Sequence, residues 1–268
     1  MPEEPKSKHP PVAIISGGLG DIGGAIAREL SHRFGARVAL GDVRPDADAE
    51  PLLAELRAGG GQATYTRVDV ADAAAVADWV AAVEARFGVP PDLVIPNAAV
   101  VTLRGIRDVS PDEWARELAI NLSGGFHMAR AAANRLLARK RPGRIVFVGS
   151  WAADAVHSGL PTYCVTKAGL RMLMRCLALD LAPDDILVNE VAPGYVDAGL
   201  SRSIFDAHPG QREAAMARVP NRRLITPEEV AREVAHLCDP GTRHCVGATI
   251  LMDGGLSLRT PGSDNRDA

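Results

Sequence analysis

Tyr163 and Lys167 stand four residues apart in a stretch that reads as helix, Thr162 to Leu181, so their side chains share a face. Ser150 precedes Tyr163 by 13 residues and closes an apolar run, Ile145 to Gly149. A serine at a strand end can face a helix tyrosine across a cleft. A free phenol titrates near ~10, too high for a good base at neutral pH. An ammonium nearby stabilises the phenolate and lowers that value. Such a trio could exchange a proton with a substrate oxygen. The Tyr-x-x-x-Lys spacing also recurs by chance, so its meaning depends on what surrounds it.

A second group lies at the other end of the chain. Ser16-Gly-Gly-Leu-Gly-Asp-Ile-Gly23 follows an apolar strand and opens a helix, and Gly18, Gly20 and Gly23 fit the pattern G-x-G-x-x-G. Glycines there allow a tight turn and close approach of the backbone to a pyrophosphate, which the helix N-terminus then holds. Residues Gly17, Gly18, Leu19, Gly20, Asp21, Ile22 and Gly23 are therefore expected to bind a dinucleotide. Asp42 lies 19 residues past Gly23, where a carboxylate can bond ribose hydroxyls and repel a 2′-phosphate. This favours NAD over NADP, with Arg44 nearby as the residue that could take a phosphate instead. Val43 adjoins Asp42. Asp69 and Val70 end a third strand where they could meet adenine. Asn97, Ala98 and Ala99 end a fourth, where small residues let a cofactor approach.

These segments need a scaffold. Short apolar runs alternate with helical ones: Val12–Ile15, Arg37–Leu40, Ala63–Val68, Leu93–Ile95, Arg144–Val148, Ile186–Val191 and Ala248–Met252 read as strands. Between them, Ala73 to Phe87 and Trp114 to Ala138 read as helices, and Thr226-Pro-Glu-Glu229 opens a capped one. Strands that are apolar throughout have both faces covered. The expected fold is α/β: a doubly wound, Rossmann-type parallel sheet of about seven strands with helices on both faces. Residues 1–10 read as a disordered lead-in, 11–258 as one domain, and 259–268 as a flexible tail. The least regular stretch, Pro193 to Pro220, reads as a lid, with Leu200, Ile204, Phe205 and Met216 offering apolar surface.

Composition narrows the class. The net charge of −3 lacks the basic footprint of a nucleic-acid binder. No apolar run reaches the ~18 residues of a membrane span. The four cysteines form no C-x-x-C pair or zinc spacing, so no metal is expected, and their scatter suits the cytoplasm.

Taken together, the motifs resemble the short-chain dehydrogenase/reductase family over about residues 11 to 256. The resemblance rests on the glycine turn, Asp42, Asp69, Asn97-Ala-Ala99, Asn121, Ser150, Tyr163-x-x-x-Lys167, Pro193-Gly194 and Asp253-Gly-Gly255. It implies an oxidoreductase that moves a hydride between a nicotinamide dinucleotide and a secondary alcohol/ketone pair. Tyr163 would be the acid/base, its pKa lowered by Lys167 and the positive nicotinamide. Lys167 would also bond the nicotinamide ribose, and Ser150 would hold the substrate oxygen. Asn121 would position a water linking Lys167 to solvent. Pro193, Gly194 and Val196 join the cofactor residues. Family members are commonly tetramers, so a homotetramer or homodimer is expected, with Leu170, Leu173, Met174, Leu177 and Leu181 giving the long helix ample apolar surface.

Three departures stand out. Asp21 replaces a common Gly in the turn, Pro96 replaces a common Asn, and Ala198 stands where a Thr often bonds the carboxamide. Substrate contacts are expected from Ser150, Trp151, His157, Tyr163 and Tyr195, with Val100, Val101 and Ala152 nearby. They suit a modest, partly apolar secondary alcohol or ketone. The alternatives are a non-catalytic NAD-binding regulator on the same fold, and a dehydratase or epimerase of the extended relatives.

Overall fold

The computed structural model describes residues 9–157, 159–199, 201–202, 205 and 210–258. The expected tail, all but two residues of the expected lead-in, and Leu200, Ile204 and Pro209 lie outside the described residues. Among the described residues seven strands are seen: β1 (Val12–Ser16), β2 (Arg37–Asp42), β3 (Ala63–Arg67), β4 (Leu93–Ile95), β5 (Gly143–Val148), β6 (Ile186–Pro193) and β7 (Thr249–Met252). They form one sheet in the order β3-β2-β1-β4-β5-β6-β7, every pair parallel. This is the doubly wound sheet expected from the apolar runs. The helices are α1 (Asp21–Phe34), α2 (Glu50–Ala58), α3 (Ala73–Phe87), α4 (Pro111–Leu118), α5 (Gly124–Arg139), α6 (Pro161–Leu181), α7 (Gln211–Arg218) and α8 (Pro227–Cys238). No helix among the described residues is long and apolar enough to cross a membrane.

Alternation along β1 divides the core. Ala13 and Ile15 face a cluster with Ile26 and Leu30 of α1 and Val230 and Val234 of α8. Val12 and Ile14 face the opposite cluster, with Trp79 of α3, Met128 and Leu136 of α5, and Met174 of α6. Each such fully buried aliphatic or aromatic side chain contributes roughly 1.5–3 kcal/mol. Helix starts are set locally: Ser110 and Thr226 each form a capping box with the Glu three residues on.

The region expected as one helix from Trp114 to Ala138 differs. It is α4, a π-helical turn at Ala119–Ser123, then α5. The cause is tertiary: the Asn121 side chain in that turn bonds the backbone of Val100. The stretch after β6 is anchored where it is described. Val196 bridges Ile225, and the Gly199 N–H donates to Asp21 Oδ2 at 2.9 Å.

Gly41 places Asp42 at the end of β2, and it is glycine because Trp79 fills the space above it. A Cβ there would come within 2.5 Å of the indole. Gly41→Ala should lower stability by about 1–3 kcal/mol through overpacking, read as a reduced midpoint in thermal or urea denaturation.

Candidate active site

The carboxyl ends of the strands open into one cavity of about 1000 Å³ that runs from the glycine turn to α6. At one end Gly17 has φ +62, and a Cβ on it would lie 2.9 Å from Ala98 Cα. A Cβ on Gly23 would lie 2.2 Å from the Gly17 carbonyl oxygen. The turn is thus packed to the point where only glycine fits. Ser16, buried at the tip of β1, stitches it to β4: its hydroxyl accepts from the N–H groups of Asn97 and Ala98 at 3.0 and 3.1 Å. The Asn97 amide donates back to the carbonyls of Ser16 and Gly17 at 2.9 and 3.1 Å. Asp42 holds the turn from the other side, Oδ2 accepting from Leu19 N–H at 3.2 Å. Arg44 lies 3.6 Å from the same carboxylate. The Oδ1 of Asp69 accepts from Ala71 N–H at 2.9 Å.

At the other end Ser150, Tyr163 and Lys167 converge on the cavity. The Ser150 hydroxyl accepts from Ala152 N–H at 3.1 Å. Lys167 Nζ donates to the Val148 carbonyl at 2.9 Å and stands 5.5 Å from the Tyr163 ring centroid. Burial pushes the Tyr163 phenol up to about 12, with the Ser150 hydroxyl beside it pulling down and Glu117 adding to the rise. Burial brings Lys167 down to about 8, opposed by Glu190 and Glu117. At the phenol, burial and Glu117 act together and the Ser150 hydroxyl opposes them, while at Lys167 burial outweighs the charges of Glu190 and Glu117, so the lowering expected at Tyr163 is not seen with these groups alone. Trp151 lies edge-on to His157 and to Tyr195, with ring centroids 4.6 and 5.5 Å apart. Burial lowers the pKa of His157, which favours its neutral form.

Of the residues expected at the site, Gly17, Gly20, Asp21, Ile22, Gly23, Asp42, Val43, Asp69, Val70, Asn97, Ala98 and Ala99 line the cavity at the turn end. Ser150, Trp151, His157, Tyr163, Lys167, Pro193, Gly194, Tyr195 and Val196 line the rest. Gly18, Leu19 and Asn121 do not. Gly18 packs on Leu40, and Leu19 on the core beneath. Asn121 is buried, with both ends of its amide engaged by Val100 at 2.8 Å. It instead lines, with Lys167 and Ser16, a separate void of about 10 Å³, about the room one water needs. Asp253 acts from behind: it accepts from Gly255 and Ser257 N–H, and its Cα would be 2.9 Å from a Cβ on Gly194.

Sequence reasoning assigned no role to Ser16 or to Glu117. Ser16 had a signal, a strand-end serine directly before the glycines. Glu117, buried one helical turn before Asn121, had only that spacing; its Oε2 accepts from Thr102 N–H at 3.2 Å, while Oε1 is buried without a partner.

The sequence profile described as Enoyl-(Acyl carrier protein) reductase matches residues 18–257. The chain belongs to the short-chain dehydrogenase/reductase family of oxidoreductases. It is 32% identical over 247 residues to the 3-oxoacyl-[acyl-carrier-protein] reductase of Pseudomonas aeruginosa, covering 92% of this chain and 97% of that protein. It is 35% identical over 248 residues to the cis-4-hydroxycyclohexanecarboxylate dehydrogenase of Sinomonas cyclohexanicum, covering 92% and 96%. A short-chain type dehydrogenase/reductase from Mycobacterium marinum superposes with a TM-score of 0.87 at 27% identity, covering 93% of this chain and 96% of that one.

The Ser16 hydroxyl is the joint between the two halves of the cofactor end. Ser16→Ala would leave the amides of Asn97 and Ala98 without that acceptor, at a cost of about 1–3 kcal/mol. The expected outcome is a lower melting temperature together with weaker binding of the reduced nicotinamide cofactor, measured by scanning calorimetry and fluorescence titration.

Proposed function

We propose that the protein transfers a hydride between NAD and a secondary alcohol/ketone pair, with Tyr163 as the acid/base. The observation that carries this reading is the meeting of Ser150, Tyr163 and Lys167 in the cavity that also contains the glycine turn. The cradle around Gly17 and Gly23, too close for any Cβ, fits a pyrophosphate over the N-terminus of α1. Asp42, with its side chain 12% exposed on the cavity wall, fits ribose hydroxyls and disfavours a 2′-phosphate, which makes NAD the preferred form. The nicotinamide, when bound, accepts or donates the hydride.

The remaining work falls to the chain. Ser150 holds the substrate oxygen, and Tyr163 exchanges the proton at that oxygen. Lys167 places a positive charge beside the phenol and bonds the nicotinamide ribose. Asn121, fixed by Val100, lines the water-sized void beside Lys167 and positions a water there to link Lys167 to solvent. Trp151, neutral His157 and Tyr195 make an aromatic corner that suits a partly apolar substrate about the size of a ring. The substrates named for the two curated relatives, a 3-oxoacyl group and a hydroxycyclohexane acid, support a secondary carbon as the reacting centre. The apolar residues of α6 expected to serve assembly face the core instead, Leu170, Met174 and Leu181 buried and Leu173 and Leu177 packed against it, whereas Val165, Met172 and Leu179 remain exposed, which supports assembly through this helix with further copies of the chain.

The reading is tested with a panel of cyclic secondary alcohols, polyhydroxy acids and 3-hydroxyacyl thioesters, followed as NADH formation. Tyr163→Phe should bind NADH as the wild type does and lose about 10²–10⁴-fold in kcat. Turnover unchanged in that variant, or no hydride transfer to any member of the panel, would refute the mechanism and leave a non-catalytic binding role.

Cofactor choice has its own test. Asp42→Ala should weaken NADH binding about 10-fold or more, the worth of a hydrogen bond to a charged group, and bring NADPH binding closer to it. Parallel fluorescence titrations read both. Tighter NADPH than NADH binding in the wild type would assign the role to Arg44.

A further inference from the structure

A charged cluster stands directly behind Ser150, and beyond the support that Glu190 gives the Lys167 charge the acid/base set makes no use of it. Arg171 follows Lys167 by four residues and Tyr163 by eight, so it continues the same ridge of α6. It is 6% exposed. Its guanidinium has three destinations. Nε donates to Glu190 Oε2 at 2.6 Å, Nη2 donates to the Ser150 carbonyl at 3.1 Å, and Nη1 donates to Asp154. Glu190, on β6, is fully buried and also accepts from the Thr249 hydroxyl of β7 at 2.8 Å. One planar group thereby joins α6, β6, the end of β5 and the turn that carries Trp151.

The packing shows that the strand end was shaped around this cluster. A Cβ on Gly149, the residue before Ser150, would come within 1.7 Å of Glu190 Oε1. Beyond β5 the Gly149 N–H is held by the Val191 carbonyl at 2.8 Å. The Ser150 carbonyl is then shared by Arg171 and by Ala153 N–H at 3.1 Å. Arg171 is thus a main-chain tie between Ser150 and the helix bearing Tyr163, beside the Lys167 bond to Val148. A buried ion pair adds little to stability compared with apolar residues of the same volume, so its stability value does not account for it. A rigid fork of donors does fix geometry in a way a flexible ammonium cannot.

We propose that Arg171, locked by Glu190, is a positioning residue that sets where Ser150 and the turn from Trp151 to Asp154 stand relative to Tyr163, and so aligns the substrate oxygen with the phenol. This rests on the reading of Ser150 as the group that holds that oxygen. Arg171 itself touches neither substrate nor cofactor. Its effect passes through the main chain of Ser150.

The test removes both charges together, because removing Arg171 alone would strand the buried Glu190 carboxylate. Arg171→Met with Glu190→Met is compared with the wild type in the presence and absence of Ser150→Ala, using the alcohol of the panel with the highest kcat/KM. Arg171→Lys is the conservative control. The double variant should fold and bind NADH normally, lose about 10²-fold in kcat, the scale of a misplaced reacting group, and change KM less. Adding Ser150→Ala to it should cost far less than Ser150→Ala costs in the wild type, because the two act as one unit. Arg171→Lys should not restore the rate, since it cannot reach three partners at once. A kcat within about twofold of wild type, or losses that simply add, would overturn the proposal and leave the cluster as scaffold. If the Met pair fails to fold, Arg171→Gln with Glu190→Gln is judged by the same two criteria. If Ser150→Ala alone leaves kcat unchanged, this inference and the proposed mechanism fall together. If Ser150→Ala slows turnover but the double variant does not, only this inference falls.

Discussion

Strands β1 and β4 are hydrogen-bonded neighbours, yet the chain leaves them toward opposite faces of the sheet. After β1 it enters α1, which packs on the cluster containing Ile15; after β4 it reaches α5, which packs on the cluster containing Ile14. No helix can cover the line where the two paths part, so a crevice opens at the carboxyl ends of the strands. Every functional group described above is placed relative to that crevice. The Ser16 hydroxyl is buried beneath it and accepts from both Asn97 and Ala98, which keeps its two sides at a fixed distance. The glycine turn follows on one side. On the other, α6 brings Tyr163 and Lys167 to the wall, facing the strand end that bears Ser150.

Burial then decides the electrostatics. The same packing that shapes the crevice buries Lys167 and half-buries Tyr163 on its wall, and desolvation is the largest influence on each. Both are driven toward their neutral forms, the phenol up and the ammonium down. Two buried carboxylates, Glu117 and Glu190, work against this at Lys167 and favour its charge. Glu117 also raises the phenol, so it supports the lysine at some cost to the phenolate. The balance at Tyr163 is therefore sensitive to any further positive charge in the cavity. In a medium of low effective dielectric such a charge acts more strongly than it would in water.

The parts that were legible in the sequence are those with a local cause. Apolar runs such as Val12–Ile15 specify strands covered on both faces, and the Thr226/Glu229 pair specifies a helix start. Gly17 and Gly23 mark a turn that excludes side chains, and the four-residue spacing of Tyr163 and Lys167 puts them on one face. The parts that were not legible have tertiary causes. The π-helical turn at Ala119–Ser123 follows from an amide bonded to a loop 21 residues away. Leu19 belongs to the glycine motif by position but turns to the core, because its neighbours pack there. Arg171 and Glu190 are 19 residues apart and carry opposite charges, with nothing in their immediate neighbours to show that both are buried and bonded. Burial is a property of the assembled layers, so the residues whose work depends on it are the ones a linear reading passes over.

Asp21 illustrates how a departure in the motif is accommodated. A carboxylate in the first turn of α1 is favoured by the helix dipole, yet it stands in a turn suited to receive a pyrophosphate. Its Oδ2 accepts the Gly199 N–H at 2.9 Å and lies 3.7 Å from Arg202, both on the segment that follows β6. Arg202 in turn lies 3.8 Å from Asp197, which Arg212 of α7 also pairs. The negative charge at the turn is thereby spread over an alternating series of acids and arginines and is partly offset where a phosphate would feel it. The same contacts join the segment after β6 to α1, the helix that follows the glycine turn. The wall of the cavity beyond Pro193 is therefore held by charge as well as by its few apolar contacts. A single acidic residue in the glycine turn has become the point at which two walls of the crevice meet.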